Sequence, residues 1–331
     1  MFHPVRSSSC RVLLLLLTSA SGLYSQTSID DVHVAPRTSA VELATATPGP
    51  RVSPLIRSSA DLVTVPVTIT DNMNRPVTGL DRENFQLFEN KQAQEIKNFS
   101  SEDTPVSIGI IMDVSGSMVN KLERAREAVH QFCEASNPQD EFFIITFSDA
   151  PRLAADFTDR PEEIENALLA VQPKGRTSLL DAIYMGIRRM KNARYSRRAL
   201  LIVSDGGDNH SRYSERDVKN AVREADIMIY AVGTYDRYAT TQEELLGPEL
   251  LEDVAAVTGG QSYTISNVTE MPQVTRAIGT RLRHQYMLTY RPHSQSRDGK
   301  WHKINVKLLL PKKWSTFLRV SARTGYYAGA E

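Results

Sequence analysis

Cysteine is scarce: the 331 residues contain two, Cys10 and Cys133. A disulfide framework is therefore excluded, and any exported form must be held by a packed core. Surplus charge is missing too, because 39 Lys and Arg balance 39 Asp and Glu. No global field draws the chain to nucleic acid or an anionic membrane, so no nucleic-acid partner is expected. Long apolar runs are absent: Val12–Leu17 is too short to cross ~30 Å of hydrocarbon as a helix, and no other stretch approaches transmembrane length. His and Cys never cluster at zinc-ligand spacing. No His stands in an obvious motif with a Ser and an acid, as a serine peptidase requires. There is no internal repeat.

What is present begins with a leader pattern. Arg6 and Arg11 precede the run Val12–Leu17, which fades into Thr18-Ser19-Ala20-Ser21-Gly22. A basic start, a short apolar run and a small-residue exit describe a secretory signal peptide over residues 1–25, with a retained N-terminal anchor as the alternative. Cleavage falls after Ala20, Gly22 or Ser25. Cys10 precedes the run, so it is not a lipoprotein cysteine. The mature chain is expected in the periplasm or outside the cell, without an integral membrane span. Cys133 shares a helical stripe with Leu122, Ala125, Val129 and Phe132 and reads as a buried hydrophobe, not a reactive thiol.

Residues 26–58, rich in Ser, Thr, Ala and Pro without periodicity, read as a linker. Residues 59–100 carry short β patterns: the alternating run Asp61–Thr70, then Phe85–Phe88 with a turn at Glu89-Asn90-Lys91. Pro66 marks the first run as an edge strand. From residue 105 to 285 apolar strands alternate with helical patterns. Strands are expected at 106–112, 142–147, 199–203, 227–232 and 262–265, with a short edge strand at 153–157. Helices are expected at 119–136, 161–171, 178–193, 214–225, 248–257 and 270–283. This alternation predicts an α/β fold, a doubly wound Rossmann-like and mostly parallel sheet with helices on both faces. Residues 286–328 return to β patterns, with Asp298-Gly299 as a hairpin turn. The flanking β segments from both termini are expected to pair in one small sheet.

Ligands of a doubly wound sheet bind at the C-terminal ends of its strands, where the strand order reverses. The strand at 106–112 runs into Asp113-Val114-Ser115-Gly116-Ser117, a carboxylate and two hydroxyls on one loop. The strand at 199–203 delivers Asp205 to the same rim, and Thr177 sits on a loop that opens a helix. All five side chains offer oxygen, so the expected ion is hard: Mg²⁺ first, with Mn²⁺ or Ca²⁺ as alternatives. Nearby, His210, Arg212, Tyr213 and the segment Tyr235–Gly247 fall on the same face as surface loops. Asp181 is expected to support the first turn of its own helix. Asn98, Asn209 and Asn267 match the three-residue glycosylation pattern, a match that arises mostly by chance.

Together these segments resemble the von Willebrand factor type A domain, whose metal-ion-dependent adhesion site has Asp-x-Ser-x-Ser, then Thr, then Asp. The likeness covers about residues 105–285. It implies that Ser115 and Ser117 contact the metal directly, that Asp113 and Asp205 act mostly through water, and that Thr177 alternates between the two. The flanks resemble a subgroup of such proteins described from Acidobacteria, carried here by Asp298-Gly299 and Gly325-Tyr326-Tyr327-Ala328. The resemblance implies a non-enzymatic adhesion module. Its metal, bound mainly by neutral hydroxyls, keeps an open position for an Asp or Glu carboxylate of a protein partner. Two alternatives stand beside it. One is a structural component of an envelope assembly, its metal purely stabilising. The other is a Mg²⁺-dependent hydrolase of the aspartate-nucleophile kind. That chemistry wants an acid two residues after Asp113, where Ser115 stands instead.

Overall fold

The computed structural model describes residues 62–205, 207–234, 242–293, 298–311 and 317–328, with side chains from residue 246 in the third of these. The expected signal peptide and linker lie outside the described residues. Among those described, no helix is long and apolar enough to cross a membrane.

The chain enters through β1 (Val63–Thr70), β2 (Phe85–Glu89), β3 (Gln92–Gln94) and β4 (Ile96–Ser100). The α/β unit follows as β5 (Ser107–Asp113), α1 (Leu122–Ala135), β6 (Glu141–Phe147), β7 (Pro151–Thr158), α2 (Pro161–Leu169), α3 (Leu179–Arg189), β8 (Arg198–Ser204), α4 (Glu215–Glu224), β9 (Met228–Thr234), α5 (Gln242–Thr258), β10 (Ser262–Ile265) and α6 (Met271–Arg283). The chain closes with β11 (Tyr286–Tyr290), β12 (Trp301–Leu308), β13 (Arg319–Ala322) and β14 (Gly325–Tyr327).

The central sheet has the order β10-β9-β8-β5-β6-β7, parallel except for the antiparallel edge strand β7. Every residue of β5, β6 and β9 is buried. This follows from helices covering both faces: α1, α2 and α6 on one, α3, α4 and α5 on the other. Along β5 successive side chains alternate between the two cores, Ile110 and Met112 to the first and Ile111 to the second. Cys133 lies buried on the α1 stripe, where burial pushes its thiol well above the ordinary range. The chain runs from β5 outward to β6 and β7, then returns to the other side of β5 with β8. The strand order thus reverses between β5 and β8, and a crevice opens at their C-terminal ends.

The flanking strands differ from the expected single sheet. They form two four-stranded sheets, β13-β1-β11-β4 and β14-β12-β2-β3, which share one core built on Val65, Leu87, Tyr286, Leu288 and Ile304. Each sheet mixes strands from both ends of the described chain. Burial alternates along β2 and β11, as it must when one face of each strand meets a core. Two local expectations are corrected. β1 is not an edge strand, since it pairs with β11 and with β13. Pro66 is accommodated because β13 pairs only with Val67–Thr70, leaving one side of the strand without a ladder there. Asp298-Gly299 does not close a hairpin, because β11 and β12 lie in different sheets. The Asp298 carboxylate instead accepts from the Lys300 N–H, with Gly299 at φ +65°.

Candidate metal centre

β5 delivers Asp113 to the crevice fully buried. Its Oδ1 accepts from the Ser115 N–H at 2.9 Å and its Oδ2 from the Ser204 hydroxyl at 2.6 Å. Those bonds fix the carboxylate without neutralising it. Burial, followed by the negative charge of Asp205, pushes the Asp113 carboxyl up to about 6. A one-turn 3₁₀ segment, Gly116–Met118, begins at once and turns Ser117 back toward the strand end. The Ser115 and Ser117 hydroxyls stand 3.1 Å apart and share a hydrogen bond. Ser115 is buried, and Ser117 is exposed.

The Thr177 loop is tied to this turn through the backbone. Gly116 N–H donates to the Gly175 carbonyl at 3.0 Å, and Lys174 N–H to the Val114 carbonyl at 2.9 Å. Gly175 adopts φ +82°, and a Cβ there would stand 2.6 Å from the Asp149 carboxylate, so glycine is required. Asp149 in turn accepts from the Arg176 N–H at 2.9 Å. Thr177 is buried and held by its backbone: its N–H donates to Asn209 Oδ1, and its carbonyl accepts from the Asn209 and His210 N–H groups. Its hydroxyl has no hydrogen-bond partner among the described residues.

Asp205 follows β8 directly. Lys121, at the start of α1, places its Nζ 3.1 Å from Asp205 Oδ2. Thus Asp113, Ser115 and Ser117 join by direct bonds, Asp205 joins through its charge and Lys121, and Thr177 joins through paired loops. No group of three or more His, Cys, Asp and Glu side chains suited to a metal occurs among the described residues. The oxygen donors here are mostly hydroxyls, which suit a hard ion of the Mg²⁺ kind.

Sequence reasoning missed several supporting residues. Lys121 was legible in principle: a cation at a helix N-terminus opposes the macrodipole, which signals a nearby carboxylate. Asp149, Ser204 and Asn209 had no such mark. Asp181 lies in the first turn of α3 as expected, and it has a further role: its Oδ1 accepts from the Arg212 and Tyr213 N–H groups at 2.8 and 3.0 Å, clamping the neighbouring loop. Asp208 reaches in the opposite direction, accepting from the Leu180 N–H at 2.8 Å. Tyr213 stacks on Tyr184, with ring centroids 3.9 Å apart. His210 and Arg176 are exposed partners at 3.2 Å. Tyr235–Thr241 lies outside the described residues, as do the side chains of Glu243 and Glu244.

A mostly parallel sheet covered on both faces, with oxygen donors gathered at its switch point, defines a Rossmann-like α/β domain. Over residues 108–207 the sequence matches the family model for the von Willebrand factor type A domain, and the chain carries a domain of that family. Such domains serve generally as protein–protein interaction modules and are typically not enzymes. Human inter-alpha-trypsin inhibitor heavy chain H4 is 25% identical over 134 residues, covering 37% of this chain and 14% of that protein. Bovine heavy chain H3 is 27% identical over 135 residues, or 36% of this chain and 15% of that protein. The matched region therefore spans about a seventh of these relatives. Among solved structures, a von Willebrand factor type A protein from Catenulispora acidiphila covers 82% of this chain and 64% of its own, at 14% identity and a TM-score of 0.49. An aerotolerance-related membrane protein from Bacteroides fragilis NCTC 9343 covers 54% of this chain and 98% of its own, at 17% identity and a TM-score of 0.45.

Proposed function

We propose that this domain is an exported adhesion module. It binds one divalent cation, Mg²⁺ in preference to Mn²⁺ or Ca²⁺, through Asp113, Ser115, Ser117, Thr177 and Asp205, and holds an acidic group of a protein partner. The observation that carries the reading is an imbalance of charge. Two carboxylates converge at the switch point, and among the described residues the countercharge bonded to them is one ammonium, Lys121. Buried anions left in this state are costly and call for a cation.

When bound, the cation supplies a coordination position that a partner's carboxylate can fill. The protein's own residues prepare that event. Ser204 and the Ser115 N–H hold Asp113 in one orientation, so its oxygens need no reordering. Ser115 and Ser117 present neutral oxygens, which bind without cancelling positive charge. The bonds between the Gly116 and Gly175 turns keep Thr177 in place while its hydroxyl stays available. Around the rim, His210, Arg212 and Tyr213 offer polar and aromatic surface to a partner. Ser115 stands where a hydrolase would need its proton donor, in keeping with binding rather than turnover. Export rests on the basic and apolar pattern between Arg6 and Gly22.

The test is capture by immobilised protein in Mg²⁺ buffer. The reading expects a partner released by EDTA, restored by added Mg²⁺, and not retained by Asp113→Ala. A partner held equally by Asp113→Ala and in EDTA would assign binding to another surface and leave the cation a structural role.

A further inference from the structure

At the end of the central sheet remote from Asp113 and Asp205, the strand starts open into a second cavity of about 150 Å³. Its floor is formed where β8 and β9 begin, at Arg198 and Met228. One wall comes from the ends of α4 and α5, and the other from the β sheets, through Pro66, Met287 and Trp301. Four arginines contribute to its lining, Arg197, Arg198, Arg223 and Arg323, against one acidic residue, Asp226. Asp226 is already used, since Arg323 Nη1 stands 2.6 Å from it.

The other three arginines make no ion pair among the described residues. Arg197 is buried and bonds only neutral acceptors: Thr104, the Leu282 carbonyl at 2.5 Å and Gln285 Oε1 at 3.0 Å. The side chains of Arg198 and Arg223 make no ion pair or hydrogen bond with the described residues. The Nε atoms of Arg197 and Arg198 are both buried without a partner. Buried donors are almost always satisfied, and an unmatched guanidinium is costlier still than a neutral donor. Burial accordingly depresses the Arg197 pKa, with Asp140, Asp103 and Tyr230 opposing it without bonding the guanidinium.

We propose that this cavity binds a compact oxyanion, a phosphate or a small carboxylate, through Arg198 and Arg223 with Arg197 behind them. Guanidinium forks match both anions bidentately. The apolar wall lowers the local dielectric and strengthens the pairing. The volume is well below the ~300 Å³ at which drug-sized pockets begin, so the ligand is an ion or a short side-chain-like acid. This site is independent of the cation site and would stand if that one failed.

The test uses full-length mature protein stripped of metal and dialysed into chloride buffer of constant ionic strength. Inorganic phosphate and succinate are titrated separately, reading melting temperature and calorimetric heat. A saturable rise with either anion is expected, and the anion that binds more tightly names the source. Arg198→Gln and Arg223→Gln should each weaken it about tenfold, the worth of one charged hydrogen bond. Neither residue has a partner to lose, so both variants should melt no lower than wild type in chloride, which separates lost binding from lost folding. If neither anion gives a saturable response, or both variants respond as wild type does, the proposal is overturned.

Discussion

Two buried carboxylates sit in this molecule under opposite conditions. Glu89, on β2, is fully partnered: His302 Nδ1 lies 2.6 Å from one oxygen, and the Tyr290 hydroxyl donates to the other at 2.7 Å. Asp298 stands 3.3 Å from the far side of the His302 ring. Because Tyr290 belongs to one flanking sheet and Glu89 and His302 to the other, the cluster joins the two sheets. Asp113, by contrast, receives a hydroxyl and an amide from the described residues and faces a second carboxylate. The lesson is that burial alone does not mark a functional acid. A carboxylate whose charge is matched within the fold is structural, whereas one left open beside a second carboxylate and free hydroxyls is a candidate binding site.

The comparison can be broken most forcefully at Glu89. Replacing it with Ala strips the buried Tyr290 hydroxyl of its Glu89 acceptor and leaves His302 with Asp298 alone, so denaturant melts should show a loss of roughly 3–5 kcal/mol. The same kind of change at Asp113 should go the other way. Asp113→Asn removes one of two facing charges, and the metal-free protein should gain about 1–3 kcal/mol in the same melts while losing any response to Mg²⁺. If both substitutions destabilise the metal-free protein alike, the contrast between the two acids fails.

A smaller effect sharpens the Glu89 side. Burial works against charge on His302, but the hydrogen bonds to Glu89 and Asp298 outweigh it and hold its pKa above the ordinary value. A pKa raised on folding adds stability that is complete below the unfolded value of about 6.5 and is lost as pH rises through the folded one. Stability should therefore decline from near pH 6.5 upward, and His302→Gln should flatten that slope in melts taken across pH 6 to 9. Smallest is the effect at Lys121. Its ammonium competes for Asp205, so Lys121→Met should tighten Mg²⁺ binding by roughly five- to tenfold in calorimetry.

Much of this fold could be read from patterns of burial. A strand covered on both faces must be apolar throughout, as Ile108–Met112 is, and such a strand ends by carrying a polar residue such as Asp113 to the rim. The strands β2 and β11 could be placed, but not the faces of β2, where Glu89 is buried and Phe88 is only half-buried. What stayed hidden depended on partners far away in sequence. Lys121 meets Asp205 across 84 positions and Asp149 meets Arg176 across 27; the helix start at Lys121 signals that a carboxylate is near but not which one, and nothing local marks Asp149. Pro66 misled because the rule against central proline assumes a strand paired along its whole length on both sides. Pro248 misled in a similar way. It reads as a helix start, yet α5 begins at Gln242 and absorbs the lost N–H inside the helix.

The central claim is that oxygen donors from three separated loops form one cation site, and a thermal-shift titration of metal-stripped protein tests it most directly. Mg²⁺ and Mn²⁺ should raise the melting temperature saturably in wild type, and the rise should vanish in Ser117→Ala and Asp205→Asn while their metal-free melts stay cooperative. A wild-type protein indifferent to both ions, or a Ser117→Ala protein that responds as fully as wild type, would contradict it.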